Sequence, residues 1–222
     1  MAAVGVVQPA GAQASSSRSR EVRPEAARFV GVLNARTAVV DHRGRRAIHL
    51  IPLDTTVTKD EDMLAILDGE RLTDGTIEVS VAGSPRPGAP PDSRGFIGIA
   101  FRTGERGVWS EIFYLRPTNA RADDQLRRNH TLQYVSHPEF PWHRLREERP
   151  GVYESYADME AGAWTALRIV VSGTTAQLYV NGAAQPGLVV NDLKHGAGGG
   201  RIALWAHVQT NAYFGSMKIT PQ

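Results

Sequence analysis

The residues with the most chemistry to offer fall between positions 111 and 158. That stretch carries Tyr114, Arg116, Asn129, His130, Gln133, Tyr134, Trp142, Arg144, Tyr153 and Glu154, with Glu111 at its start. Aromatic rings, guanidiniums and amides together hold polar, ring-shaped ligands, because a ring face stacks on an aromatic face while directional donors and acceptors meet its edge. Connecting segments normally carry turn formers and flexible charges, so an aromatic, arginine-rich one of this length implies a binding or active site. The same composition has a plainer explanation, in which arginines and carboxylates pair with one another and pin a long crossover.

Proton transfer needs in addition a carboxylate or imidazole with a tuned pKa. Glu111 and Glu154 border the segment, and His130, flanked by Arg128 and Asn129, is its best-placed imidazole. These three are the candidate catalytic groups. Glu111, however, shares strand parity with Phe113 and Leu115, and so faces away from Tyr114 and Arg116 unless a bulge intervenes. For ligand contact the platform candidates are Tyr114, Tyr134, Trp142 and Tyr153, and the edge-binding candidates are Arg102, Arg116, Asn129, Gln133 and Arg144. Arg116 ends an apolar strand that Pro117 prevents from continuing. Asp123, Asp124, His137 and His143 are metal-ligand types, but no spacing sets them on one face. Asp123 and Asp124 lie beside Arg121, Arg127 and Arg128 and read as a solvated charge cluster, so no metal is expected.

The elements that must position these groups are strands. Positions 77, 79 and 81 (Ile, Val, Val) alternate with Glu78 and Ser80; Ile97, Ile99 and Phe101 alternate with Gly98, Ala100 and Arg102. Ala176, Leu178 and Val180 repeat the pattern. A period of two is the mark of a strand with one buried face. The turn at 41–44 joins two apolar runs as a hairpin, Asp68-Gly69 closes the run 63–67, and Asn181-Gly182 is a strong hairpin turn with 188–190 as the return strand. The Pro/Gly stretch 84–92 is expected to stay outside any sheet. The small residues Gly98 and Ala100 suit either a ligand above that face or a close approach of covering backbone. No amphipathic helix is evident. About a dozen short strands predict an all-β fold, a two-sheet antiparallel β-sandwich or jelly roll.

The chain has 222 residues and is 41% hydrophobic, enough for one substantial core. It contains no cysteine, which excludes disulfides and thiolate metal sites. A formal charge of only +2 gives no indication of nucleic-acid binding, and no segment is apolar enough to span a bilayer. Only three of the 25 basic residues are lysines, an excess of arginine that suits bidentate recognition but that codon usage also produces. Residues 1–27 read as a signal remnant or disordered tail, with Ala12-Gln13-Ala14 fitting a cleavage pattern, and residues 28–222 as the folded domain. Export to the periplasm or beyond is the resulting expectation.

The order of the pieces resembles the concanavalin A-like lectin/glucanase superfamily, and within it the laminin-G-like, bacterial 3-keto-disaccharide hydrolase domains. The resemblance is carried by 74–78 (Asp-Gly-Thr-Ile-Glu), 95–102, 111–117, 164–169, 178–182 (Leu-Tyr-Val-Asn-Gly) and 202–205 (Ile-Ala-Leu-Trp), and spans roughly residues 30 to 220. It implies a saccharide or glycoside ligand on a concave sheet, with hydrolase or lyase activity in some members and glycan binding or adhesion without catalysis in others; an isomerase or cyclase on the same scaffold is a third reading. Fold cannot decide among these. The paired-carboxylate pattern Glu-x-Asp-x-x-Glu of one glucanase family is missing from the sequence. Two carboxylates on one face would serve glycoside hydrolysis, whereas a His/Tyr/Arg set would serve proton abstraction and elimination. No organic cofactor is expected; the superfamily often carries a structural calcium, which one sequence does not reveal.

Overall fold

The computed structural model describes residues 18–54, 56 and 60–222. Its elements run in the order β1 Arg20–Val22, β2 Phe29–Leu33, β3 Ala35–His42, β4 Arg45–Pro52, β5 Asp62–Leu72, β6 Gly75–Pro85, β7 Ile97–Thr103 and β8 Ser110–Leu115. After a 3₁₀ turn at Pro117–Asn119 come α1 Gln125–Asn129, β9 Leu132–His137, α2 Trp142–Glu148, β10 Glu154–Ser155, β11 Thr165–Ser172, β12 Thr175–Val180, β13 Leu188–Val190, β14 Gly200–His207 and β15 Thr210–Pro221. Two antiparallel sheets form a sandwich, as expected. One is ordered β13-β12-β11-β6-β15-β4-β3, with β1 also on β15; the other is ordered β10-β9-β8-β7-β14-β5-β2.

The core lies between the sheets. Ile77, Val79 and Val81 of β6, Leu167, Ile169 and Val171 of β11, and Leu178 of β12 meet Ile97, Ile99 and Phe101 of β7 and Phe113 of β8; all are 5% exposed or less. Alternation in the first sheet is clean: β11 reads buried at Leu167, Ile169 and Val171, with Ala166 exposed and Arg168 half-buried between them. The second sheet differs. Every residue of β7 and β8 is buried, so its outer face is covered as well. Part of the cover is the 104–109 connection, where a Cβ on Gly107 would stand 3.3 Å from both Leu64 and Ile66 of β5.

Several local expectations are corrected. The folded sheet starts at Arg20, because Arg20, Glu21 and Val22 pair with Ile219, Lys218 and Met217 along the edge of β15 beyond its pairing with β4. The earlier residues 1–17, with the expected cleavage pattern, lie outside the described residues. Asp68-Gly69 does not end a strand. β5 runs on to Leu72, and Gly69 takes φ +75° inside it, where the pairing registers of β2 and β14 also shift. Ser84 and Pro85 belong to β6: β11 stops opposite Val81, and a proline at the end of a strand costs little pairing. The two helices were not anticipated because five and seven residues are too few to show a helical period. Of the two reasons for a small residue at Gly98, a close approach of backbone is the one seen, from the neighbouring strand rather than from a covering segment. A Cβ there would come within 2.1 Å of the Phe113 carbonyl and 2.6 Å of the Tyr114 Cα on the neighbouring strand β8.

Candidate functional site

β8 carries Tyr114 to the outer face of the second sheet and ends at Leu115, with Arg116 immediately after it. The guanidinium is 5% exposed and donates four hydrogen bonds: to the His130 carbonyl (3.0 Å), Glu154 Oε1 (3.1 Å), the Tyr114 hydroxyl (3.0 Å) and Gln133 Oε1 (3.0 Å). Gln133 is held in turn by donating to the carbonyls of Tyr134 (2.8 Å) and Tyr153 (3.1 Å). Glu154 also accepts from Arg146, with Nε at 2.9 Å from Oε2 and Nη2 against Oε1, and His130 Nε2 stands 3.5 Å from the same carboxylate. Burial alone would raise the Glu154 pKa; the Arg146 hydrogen bonds and the charges of Arg116 and Arg146 outweigh it and hold the carboxyl below its ordinary value. Burial, helped by Arg146 and Arg116 and opposed by Glu154, pushes the His130 imidazole down. The Tyr114 phenol is pushed up to about 12 by burial, against the pull of Arg116.

Beside this node lies a pocket of about 280 Å³. Tyr114 and Trp205 form its floor, with ring centroids 4.8 Å apart, and Phe96 meets Tyr114 edge-on at 5.8 Å. Trp142, 44% exposed, stands on the rim, with the Arg146 guanidinium 4.7 Å from its ring centroid and that of Arg116 at 5.9 Å. Two histidine–aspartate pairs border the pocket: His137 Nδ1 lies 3.1 Å from Asp62 Oδ2 and His207 Nε2 lies 3.0 Å from Asp60 Oδ1. Trp205 is 3% exposed, and its indole N–H has no hydrogen-bond partner among the described residues. The pocket continues into a wider cleft of about 530 Å³, the two sharing Asp60, Phe96, Trp142 and His207 in their walls.

The expected site residues thus fall into separate groups. Tyr114, Arg116, His130, Gln133, Trp142 and Glu154 come together at the cleft, although Arg116, Gln133 and Glu154 are locked side chains rather than an open wall. Glu111 and Tyr134 do not join them. Strand parity turns both inward, where Glu111, fully buried, accepts from the Tyr134 hydroxyl (2.6 Å) and the His195 backbone N–H (2.8 Å), and the Lys194 N–H donates to Tyr134 (3.0 Å). Burial first, and then the Glu111 charge, raise the Tyr134 pKa. Tyr153 belongs to the same anchor through Asp192, at 2.6 Å. Arg102 lies elsewhere, 1% exposed, its guanidinium donating to the carbonyls of Thr73, Gly173 and Gly196 and tying three turns together. Asn129 is exposed and accepts from Gln125 on α1, while Arg144 pairs with Glu148 along α2 and lies over Phe140. Asp124 caps α1 by accepting from the Arg127 N–H.

Phe96, Asp60, Asp62, His207, Arg94 and Arg127 line the two cavities and were missed. His207 had a usable signal: it stands two residues from Trp205 and so shares its face of β14. Among the described residues no group of three or more His, Asp or Glu side chains is placed to hold a metal ion. Among the described residues no helix is long and apolar enough to cross a membrane.

No protein-family model matches the sequence, and no curated protein does either. Solved structures do share its shape. A carbohydrate-binding module, CBM66 from Bacillus subtilis, superposes with TM-score 0.55 at 12% identity over 86% of this chain and 97% of that one. A protein of unknown function with a galectin-like fold from Bacillus subtilis gives 0.54 at 10%, covering 91% and 88%. The exoplasmic/lumenal domain of VIP36, in a Ca²⁺/Man2-bound form, gives 0.51 at 11%, covering 93% and 90%. At such identities the likeness is one of fold alone: two antiparallel sheets packed as a β-sandwich.

Proposed function

We propose that this protein binds a saccharide in the cleft over the outer face of its seven-stranded sheet, as a glycan-binding module without catalysis. The observation that carries the reading is the aromatic pocket itself. Phe96 and the half-exposed Trp142 offer apolar faces for a sugar ring, the buried Trp205 N–H offers an unused donor, and histidine–aspartate pairs offer edge contacts for hydroxyls. The sandwich shared with a carbohydrate-binding module and with lectins supports it as an analogy of fold. The two candidate carboxylates argue against general-acid catalysis. Glu154 is neutralised by two arginines and its proton affinity is lowered, which is the wrong direction for a general acid, and Glu111 lies behind the sheet.

Bond cleavage, as in the hydrolase domains the sequence resembles, is the second reading, and it rests on the His137–Asp62 and His207–Asp60 pairs instead. A panel of neutral and acidic oligosaccharides, scored in parallel for binding by calorimetry and for product release, tests both. Binding without product establishes the module; product that disappears in Asp62→Asn or Asp60→Asn establishes the second reading; neither binding nor product refutes both. Export is proposed on Ala12-Gln13-Ala14 alone, and N-terminal sequencing of the mature protein checks it.

A further inference from the structure

The wider cleft carries more positive charge than its surroundings neutralise. Four guanidiniums line it, those of Arg94, Arg116, Arg127 and Arg146. Arg116 and Arg146 share a single carboxylate, Glu154. Arg94 and Arg127 are half-buried, and among the described residues neither makes an ion pair. Asp60 and Asp92, the two carboxylates in the wall, are both exposed, where water screens their charge. Keeping cations together at half burial without partners is unfavourable, and burial together with the neighbouring charge of Arg127 lowers the Arg94 pKa.

Two further groups in this wall lack partners. Arg127 Nε is buried without an acceptor, and Asn119, 4% exposed, donates through Nδ2 to the His130 carbonyl (3.3 Å) while its Oδ1 is buried and accepts nothing among the described residues. An orphaned guanidinium N–H calls for an anionic oxygen, and an orphaned amide oxygen calls for a hydroxyl. Both demands sit beside Trp142 and Phe96, which border the aromatic pocket as well. One ligand class meets all of them: a sugar ring that bears an acidic group and a neighbouring hydroxyl.

We propose that the cleft selects a negatively charged saccharide, its carboxylate or sulfate seated on Arg94 and Arg127, a hydroxyl on Asn119 and its ring against Trp142. The inference rests on the saccharide-binding reading and narrows it to acidic sugars. Guanidiniums suit this task because their planar forks match a carboxylate or sulfate with two parallel hydrogen bonds.

The test is calorimetry of the full chain against uronate oligosaccharides, their carboxyl-reduced neutral counterparts, sulfated oligosaccharides, and inorganic sulfate alone. Expected is at least roughly tenfold tighter binding of an acidic oligosaccharide than of its neutral counterpart, a preference that shrinks as salt rises. R94Q and R127Q should each remove most of that preference while keeping the wild-type melting temperature. R94Q alone is sufficient should R127Q disturb α1. The comparison of uronate with sulfated ligands identifies which anion the arginines accept. Equal binding of acidic and neutral sugars, or a preference unchanged in R94Q, overturns the inference and leaves the saccharide-binding reading standing. Inorganic sulfate binding as tightly as any oligosaccharide reduces the cleft to a simple anion site and also overturns it. Binding of none of the ligands overturns the inference and the saccharide-binding reading together.

Discussion

Replacing Glu154 with glutamine tests whether the arginine node is the structural keystone its geometry implies. The carboxylate is 7% exposed and accepts hydrogen bonds from Arg116 and Arg146. Removing one member of a buried ion pair costs about 3–5 kcal/mol, because the other charge is left uncompensated. Two features place Glu154→Gln at the lower end. The Arg146 side chain is 34% exposed and can turn to water, and Arg116 keeps three neutral acceptors in the His130 carbonyl, the Tyr114 hydroxyl and Gln133 Oε1. A loss of about 3 kcal/mol lowers the melting temperature by roughly 6–12 °C for a domain of this size. The pH dependence supplies a second readout. The folded-state pKa of Glu154 is depressed, so its stabilisation is fully present above the unfolded value and is lost as pH falls through the folded one. The gap between wild type and variant should therefore be full at pH 7 and close progressively below about pH 4.3. Denaturant and thermal melts across that range measure it. A gap under about 1 kcal/mol at pH 7, or one that is the same in acid, would refute the argument.

Trp142→Ala should weaken saccharide binding roughly tenfold or more while changing stability by less than about 1 kcal/mol, since the ring is 44% exposed; titration calorimetry beside a melting curve shows both. Leu178→Ala, at a fully buried core position, should cost about 2–5 kcal/mol in denaturant and leave intrinsic affinity unchanged. Gly98→Ala should destabilise by about 1–3 kcal/mol, because the added Cβ meets the Phe113 carbonyl at 2.1 Å and β8 must move; a variant as stable as wild type would show that the two strands are not so close.

How far the sequence could be read follows from which contacts are local. Period-two alternation at Ile77, Val79 and Val81 and at Ala176, Leu178 and Val180 reports one buried face, and strand positions alone gave the sandwich. The same alternation applied to Glu111 pointed inward, where the side chain is found, and it turns Tyr134 inward by the same rule. Long-range pairs carry no such signal. Asp60 meets His207 across 147 residues, and Arg116 meets Glu154 across 38, so nothing in the neighbouring sequence marks either partner.

The segment from 111 to 158 was open to two readings, a ligand site or a crossover pinned by its own ion pairs, and the ion pairs account for several of its arginines. Arg116 and Arg146 are pinned by Glu154, Arg144 by Glu148 and Arg121 by Asp158. Those arginines order the crossover and hold Trp142 at the pocket rim. Arg94 and Arg127 lie in the same wall without such a partner, and the imbalance has a simple origin: one buried carboxylate serves two guanidiniums, so the remaining pair has no internal acid to meet. A clamp built only for stability would match its charges, because leaving cations half-buried and unpaired is costly. The unmatched pair is therefore where the ion-pair explanation ends, and it is there that the proposed acidic saccharide is to be tested.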